Sequence, residues 1–148
     1  MKVLVIYDSL YGNTEKIARA IAGAVTGDVK LLRVGEANVA EIGTVDLLIM
    51  GSPTQGGRHT KAMRDFLDKI PAGSLKNVKV AAFDTRIKTM LVKIFGYAAG
   101  RIADTLKDRG GTLIAPPEGF IVKGTKGPEG DGEMERAAAW AKQITGNK

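Results

Sequence analysis

The chain of 148 residues contains no cysteine. It therefore has no disulfide framework, and no thiolate for catalysis or for an iron–sulfur cluster. A zinc or iron site built from His and Cys is not expected either, because His59 is its one histidine. No apolar run reaches the roughly 18 residues of a membrane-spanning helix, and the N-terminal run lacks the cleavage site of a signal peptide. These absences favour a cytoplasmic protein that folds as a single domain over residues 1–148.

Acidic residues are fewer than basic ones. The chain has 16 Asp and Glu against 22 Lys and Arg, which gives a net charge of +6. This balance favours partners of opposite charge, such as acidic proteins, and the alternative is a basic surface that only keeps the protein soluble. Nucleic acid is not an expected partner, because no aromatic platform for stacking bases is evident.

Short apolar segments alternate with amphipathic ones. Strands are predicted at residues 2–7, 28–34, 45–52, 77–83 and 111–116, the last continuing at 120–122 after a Pro-Pro break. Helices are predicted at 14–25, 61–70 and 133–144, together with a loop at 84–91 running into a helix that ends near 109 and a helical turn near 39–44. The alternation predicts a three-layer α/β fold with a doubly wound, five-stranded parallel sheet in the order 2-1-3-4-5.

Two polar loops follow the strands between which the direction of winding reverses. They are residues 9–14 (SLYGNT) and 52–60 (SPTQGGRHT), both rich in Gly, Ser, Thr or Asn. Ligands of such sheets bind outside the carboxyl ends of the strands at this reversal. The first loop offers hydroxyls, backbone N–H groups and the positive end of a helix dipole, which suit a phosphate. The alternative is an ordinary helix-capping turn without a ligand.

Several other site types lack their motifs. There is no GxxxxGK[ST] phosphate loop, no GxGxxG after the first strand and no GxSxG nucleophile turn. A receiver domain shares the predicted topology, but the third strand ends at Met50, Gly51 and Ser52 without an aspartate to accept a phosphoryl group. These absences argue against a P-loop, a dinucleotide site, a serine nucleophile and a receiver domain.

Residues 5–21 (VIYDSLYGNTEKIARAI) resemble the phosphate-loop signature of the flavodoxin family. The signature positions are Val5, Ile6, Tyr7, Ser9, Gly12, Thr14, Ala18 and Ile21. Residues 51–57 (GSPTQGG) resemble the second flavin-binding loop of that family, and the stretch from Gly127 and Pro128 onward is similar to the end of its short-chain members. The resemblance covers essentially the whole chain and implies a flavodoxin-like fold that binds FMN without a covalent bond.

The resemblance also implies which residues hold the cofactor. The FMN phosphate would be held by the first loop, through hydroxyls and main-chain N–H groups: Ser9, Leu10, Tyr11, Gly12, Asn13 and Thr14. The ribityl chain and the ring would be lined by the second loop: Ser52, Pro53, Thr54, Gln55, Gly56 and Gly57. A peptide at Gly56 or Gly57 would turn over to stabilise the one-electron-reduced flavin, since glycine tolerates both conformations. The pyrimidine edge would be met by a third loop: Asp84, Thr85 and Arg86.

The ring environment departs from the family pattern. Well-known flavodoxins place aromatic rings on both faces of the flavin, whereas the second loop here offers Gln55, Arg58 and His59. Tyr97 is expected too far along the helix after the fourth strand to replace those rings. We therefore expect a flavin that is more exposed than in those relatives.

The charge near the ring also departs, because typical flavodoxins are acidic. Residues 85–103 carry Arg86, Lys88, Lys93 and Arg101 without an acidic residue. This charge would steer acidic redox proteins, and a basic, apolar segment also suits peripheral contact with a membrane or a quinone. The simplest interpretation is a helix with core residues such as Ile102 and Leu106 and a solvated basic face.

The resemblance favours an electron carrier that shuttles electrons between redox partners. One alternative is an FMN-dependent oxidoreductase of the quinone or protoporphyrinogen type. Another is an interaction module that uses the same fold without a flavin. The first would accumulate a one-electron-reduced flavin, the second would turn over a substrate, and the third would remain colourless.

Overall fold

A computed structural model describes residues 1–55, 58–87, 97–123, 128, 130 and 132–146. The strands are β1 (Lys2–Tyr7), β2 (Asp28–Arg33), β3 (Leu47–Pro53), β4 (Lys79–Ile87), β5 (Thr112–Leu113) and β6 (Glu118–Val122). The helices are α1 (Asn13–Ala24), α2 (Lys61–Asp68), α3 (Ala98–Asp108) and α4 (Glu133–Thr145). Short 3-10 turns at Val34–Glu36 and Ile42–Thr44 join β2 to β3. The predicted loop and helix start at residues 88–96 lie outside the described residues.

The sheet has the predicted doubly wound order. Its strands lie in the order β2-β1-β3-β4-β5. The sixth strand, β6, pairs with residues 83–87 of β4, farther along β4 than the residues that pair with β5. Every registered strand pair is parallel. The carboxyl ends of β1, β3 and β4 therefore lie at one edge, and the loops that follow them are neighbours there.

Both faces of the sheet are covered, which explains why its central strands are apolar along their whole length. On one face Leu4, Ile6 and Leu48 pack in a cluster with residues of α2 and α3. On the other face Val3 and Val5 pack in a cluster with residues of α1 and α4. The alternation of buried positions along each strand thus produces three layers.

The helix residues expected in the core are buried. Ile102 and Leu106 of α3 belong to the first cluster, and Trp140 of α4 belongs to the second. Trp140 lies edge-on to Phe83 and Phe120, with ring centroids 6.2 and 6.0 Å away. These side chains therefore serve packing, as the helical spacing predicted.

The predicted end of the fourth strand was wrong. Residues 84–86 were expected in a loop, but β4 continues to Ile87. The extension is stabilised on one side by the end of β3, where Ser52 pairs with Asp84. On the other side β6 pairs with residues 83–87 of β4, after the Pro-Pro interruption. Asp84, Thr85 and Arg86 are thereby held in a ladder between two strands rather than in a loop.

Within the described part of the chain, no helix combines the length and the apolar character needed to cross a membrane.

Candidate functional site

The turn between β1 and α1 is organised around the hydroxyl of Ser9. Its Oγ accepts hydrogen bonds from the backbone N–H groups of Gly12 (3.1 Å) and Glu15 (3.3 Å). Gly12 has a φ of 92°, a left-handed conformation that glycine adopts without the steric cost of a Cβ. N–H groups at the start of α1 therefore converge on one point, at the positive end of the helix dipole.

The predicted residues of this first loop divide into an inner and an outer set. Ser9, Asn13 and Thr14 are buried. Leu10 and Tyr11 are 49% and 50% exposed, which is unusual among the large apolar side chains of the described residues. Polar groups therefore lie inside the loop, and two large side chains lie on its rim.

Three residues that the sequence analysis missed hold the first loop in place. The carboxylate of Asp8, also buried, accepts hydrogen bonds from the Thr60 hydroxyl (2.5 Å) and the Ser9 N–H (2.9 Å). Arg33 donates to the Ser9 carbonyl (2.8 Å) and lies 3.6 Å from Asp8. The register could have indicated Arg33, because it pairs with Tyr7 at the carboxyl end of β1. The loop is thus tied to β2 and to the start of α2.

The second loop begins as a continuation of β3. Ser52 is fully buried, and its hydroxyl donates to the Pro53 carbonyl (3.0 Å) and accepts from the Thr60 N–H (3.0 Å). Gln55 and Arg58 then pair with each other through two backbone hydrogen bonds of 2.7 and 3.0 Å. Gly56 and Gly57, where the peptide turnover was predicted, lie outside the described residues.

Thr85 of β4 joins the first and second loops. Its hydroxyl forms a buried hydrogen bond of 2.7 Å with the hydroxyl of Thr14 in the first loop. Its carbonyl accepts a hydrogen bond of 2.8 Å from the N–H of Thr54 in the second loop. The structure therefore brings the three predicted segments together at one edge of the sheet, which sequence adjacency could not show.

Asp84 and Arg86 bind each other and the start of α3. Arg86 donates to both carboxylate oxygens of Asp84, at 2.7 and 2.8 Å, and the Ala99 N–H donates to the same carboxylate at 2.9 Å. Burial raises the pKa of Asp84, and the hydrogen bonds from Arg86 and Ala99 oppose that rise. The Thr54 hydroxyl accepts from the Ala98 N–H at 3.1 Å. The side chains of Asp84 and Arg86 therefore both help to join β4 to α3.

The predicted position of Tyr97, far along the helix after the fourth strand, was wrong. Tyr97 directly precedes α3, and the guanidinium carbon of Arg86 lies 3.3 Å from the centroid of its ring. A planar guanidinium stacks well on an aromatic face. The chain thus places an aromatic ring beside the carboxyl end of β4, although it comes from a residue ten positions beyond the strand.

His59 is half-buried near the end of the second loop, with its Nδ1 buried and without a hydrogen-bond partner among the described residues. Burial lowers the pKa of its imidazole, and the positive charges of Arg101 and Arg64 lower it further. His59 is therefore neutral at pH 7.

The first loop fits the phosphate of the FMN that the resemblance implies. The donors inside the loop are neutral hydroxyls and N–H groups at a helix start, a set of groups that binds phosphate. The space outside Gly12 is open, because a Cβ placed there would have no atom within 4 Å. The described residues include no group of His, Asp and Glu arranged to hold a metal ion. The donors of the first loop and the open space outside Gly12 suit a phosphate.

Comparison with known proteins gives concordant matches. The family model described as Flavodoxin matches residues 5–140. A flavodoxin of Maridesulfovibrio salexigens is 29% identical over an alignment of 150 positions that covers 97% of this chain and 96% of that protein. An uncharacterized protein of Methanocaldococcus jannaschii is also 29% identical, over an alignment of 161 positions that covers 99% of this chain and 100% of that protein. Oxidised flavodoxin 2 of Bacillus cereus has the same fold, with a TM-score of 0.82 at 24% identity over 100% of both chains.

Proposed function

Because this chain belongs to the flavodoxin family, we propose that it uses its FMN to carry electrons one at a time between redox proteins. When bound, FMN supplies a ring that can accept and release single electrons. The observation that carries the proposal is the junction at Thr85, which ties the first and second loops to β4 through buried hydrogen bonds. Loops joined in this way would hold the cofactor in one position, so that little rearrangement of the protein would accompany electron transfer.

The first loop is proposed to bind the FMN phosphate. Ser9 Oγ and Thr14 Oγ1 would contact its oxygens, with N–H groups from the same loop. The hydrogen bonds that Gly12 and Glu15 donate to Ser9 show that these N–H groups already point at one oxygen. A dianion at the start of α1 is stabilised by the helix dipole.

The second loop and the end of β4 are proposed to line the rest of the cofactor. Residues 52–57 would contact the ribityl chain and the ring, and Asp84 and Thr85 would meet the pyrimidine edge through backbone groups. Asp84 is fully buried and bonded to Arg86. Its carboxylate therefore positions Arg86 rather than contacting the flavin.

The partners are proposed to be redox proteins with acidic docking surfaces. The net charge of +6 supports this choice, because opposite charge accelerates association. Contact with a quinone or a membrane surface remains the alternative for a basic flavoprotein, and it corresponds to an FMN-dependent oxidoreductase.

Steady-state turnover distinguishes a carrier from an enzyme. We expect the FMN-loaded protein to oxidise NADH or NADPH, with a soluble quinone as acceptor, no faster than free FMN at the same concentration. The reason is that a carrier positions its cofactor for another protein rather than for a small substrate. Saturable turnover of any of these compounds, at least tenfold above free FMN, would support the oxidoreductase instead. A protein that remains colourless after incubation with FMN would contradict both.

A further inference from the structure

A basic cleft of about 550 Å³ lies beside the second loop. Its walls come from three elements: the Gln55–Arg58 pair, the start of α2, and α3. The cationic side chains lining it are Arg58, Lys61, Arg64 and Arg101, and Asp104 is the acidic residue among the described residues that line it. Cations that are distant in sequence are thus gathered on one surface.

The charge of the basic cleft reaches solvent. Its four permanent cations all belong to exposed residues. Lys61 lies 3.8 Å from Asp65, whose negative charge offsets that of Lys61, so the positive charge of the basic cleft comes mainly from Arg58, Arg64 and Arg101. Burial lowers the pKa of the His59 imidazole, so this side chain adds little to the positive charge of the basic cleft at pH 7.

The position of two of these cations is unfavourable for the helix that bears them. Lys61 is the first residue of α2 and Arg64 the fourth, and the first turn contains no acidic residue. The positive end of a helix dipole favours Asp or Glu in this turn and disfavours Lys and Arg. Residues that lower the stability of a helix, as Lys61 and Arg64 do here, are expected at functional sites.

Arg86 does not contribute to this surface, although it belongs to the basic run predicted from the sequence. Its guanidinium is held by Asp84 and by the ring of Tyr97, and its side chain is 17% exposed. Among the described cations of that run, Arg101 lines the cleft together with Arg58 and Arg64 from other elements.

We propose that the basic cleft is the docking site for an acidic redox protein, whose carboxylates bind Arg58, Arg64 and Arg101. Guanidinium groups bind carboxylates in a bidentate manner. A protein fits better than a small anion, because the cations are exposed and distributed over three elements. The cleft adjoins the loop proposed to line the flavin ring, so a protein docked there would lie close to the cofactor. This inference rests on the proposed function and adds which surface faces the partner.

Cytochrome c provides a matched pair of probes. The native protein is basic, and its succinylated form is acidic with the same haem. We expect the flavin-free chain to bind the succinylated form by surface plasmon resonance, more weakly at about 0.1 M than at about 0.01 M salt, as the Debye length falls from about 30 to about 10 Å. With FMN bound and fully reduced, each ferric haem takes one electron from the flavin and becomes ferrous. We expect the succinylated form to be reduced faster than the native one at low salt.

The variants locate the docking site. Arg58→Glu combined with Arg64→Glu should lower both the affinity and the electron-transfer rate for succinylated cytochrome c about tenfold or more. Lys76→Glu combined with Lys79→Glu makes the same charge change at exposed residues at the opposite end of β4, and should change both less than twofold. Arg64→Gln alone should give a smaller loss in the same direction. Retained FMN absorbance shows that each variant is folded.

Equal losses in the two double variants, or equal rates with native and succinylated cytochrome c, would overturn the docking site. Failure of the docking site can be distinguished from failure of the proposed electron-carrier function. If the succinylated form binds at the cleft but is not reduced, the docking site stands and the carrier function fails. If both forms are reduced without any effect of the Arg58 and Arg64 changes, the carrier stands and the docking site fails.

Discussion

Thr14→Val is expected to weaken FMN binding about ten- to hundredfold while changing riboflavin binding less than threefold. A hydrogen bond to a charged group contributes about 1.5–3 kcal/mol, and about 1.4 kcal/mol corresponds to a factor of ten in affinity. Riboflavin lacks the phosphate that Thr14 is proposed to contact. Titration of the flavin-free protein with each ligand, followed by quenching of flavin fluorescence, measures both constants.

Thr85→Val is the matched control. Thr14 and Thr85 share one buried hydrogen bond of 2.7 Å, so either change leaves the other hydroxyl without that partner. Each is therefore expected to lower the free energy of unfolding by about 1–3 kcal/mol. Only Thr14→Val should alter the preference for FMN over riboflavin. Equal weakening of both ligands by Thr14→Val would contradict the phosphate role.

Gly51→Ala is expected to lower the free energy of unfolding by about 3 kcal/mol, or to prevent folding. A Cβ at Gly51 would overlap the ring of Phe83, which is fully buried and packed edge-on against Phe120 and Trp140. Overpacking a core costs roughly 1–3 kcal/mol and occasionally more, and this ring has aromatic neighbours that limit its movement. Urea-induced unfolding measures the change.

Two further variants isolate the steric cause. Gly23→Ala, at an exposed position of α1 where an added Cβ would have no atom within 4 Å, should be neutral or stabilising by about 0.5–1 kcal/mol. Combining Gly51→Ala with Phe83→Leu should cost less than the sum of the two single changes, since the smaller side chain makes room. A Gly51→Ala protein within 1 kcal/mol of the wild type would contradict the steric argument, by the usual scale of core substitutions.

Gly51 also connects the core to the first loop, where the FMN phosphate is proposed to bind. Its carbonyl accepts a hydrogen bond of 3.0 Å from the Asp8 N–H, directly before the first loop. A shift of β3 away from Phe83 would therefore displace the chain that leads to Ser9. The close contact between Gly51 of β3 and Phe83 of β4 thus contributes to the alignment of the first and second loops as well as to stability.

The β/α alternation and the first loop could be predicted from the sequence because they depend on local patterns, and the strand order followed from the topology rules for such chains. Apolar runs alternate with amphipathic ones, and residues 5–21 contain strand, turn and helix in one continuous segment. The turn needs Gly12 in a left-handed conformation and a helix start, and both follow from neighbours in the sequence. Such features require no knowledge of distant contacts.

The end of β4 and the ring of Tyr97 could not be predicted in the same way. β4 extends to Ile87 because β6, some thirty residues later, supplies hydrogen bonds to it. Tyr97 reaches the edge of the sheet because Arg86 binds both Asp84 and its ring. Each case depends on a tertiary contact, which outweighs the local signal of a polar segment.

The polar supports of the first loop and the basic cleft show the same limit. Asp8, Arg33 and Thr60 come from three separate segments and meet through the parallel register of β1 and β2 and the start of α2. Arg58, Arg64 and Arg101 look like scattered surface charges in the sequence. Their grouping appears only when α2 and α3 lie side by side on one face of the sheet.

The most direct test of single-electron transfer is the visible spectrum of the FMN-loaded protein during stepwise reduction under anaerobic conditions. We expect the absorbance of a one-electron-reduced flavin to rise and then fall before reduction is complete. That result requires a protein that separates the two one-electron potentials of its flavin, as a one-electron carrier does. Direct conversion of the oxidised spectrum to the fully reduced one, without any such species, would contradict the proposed function.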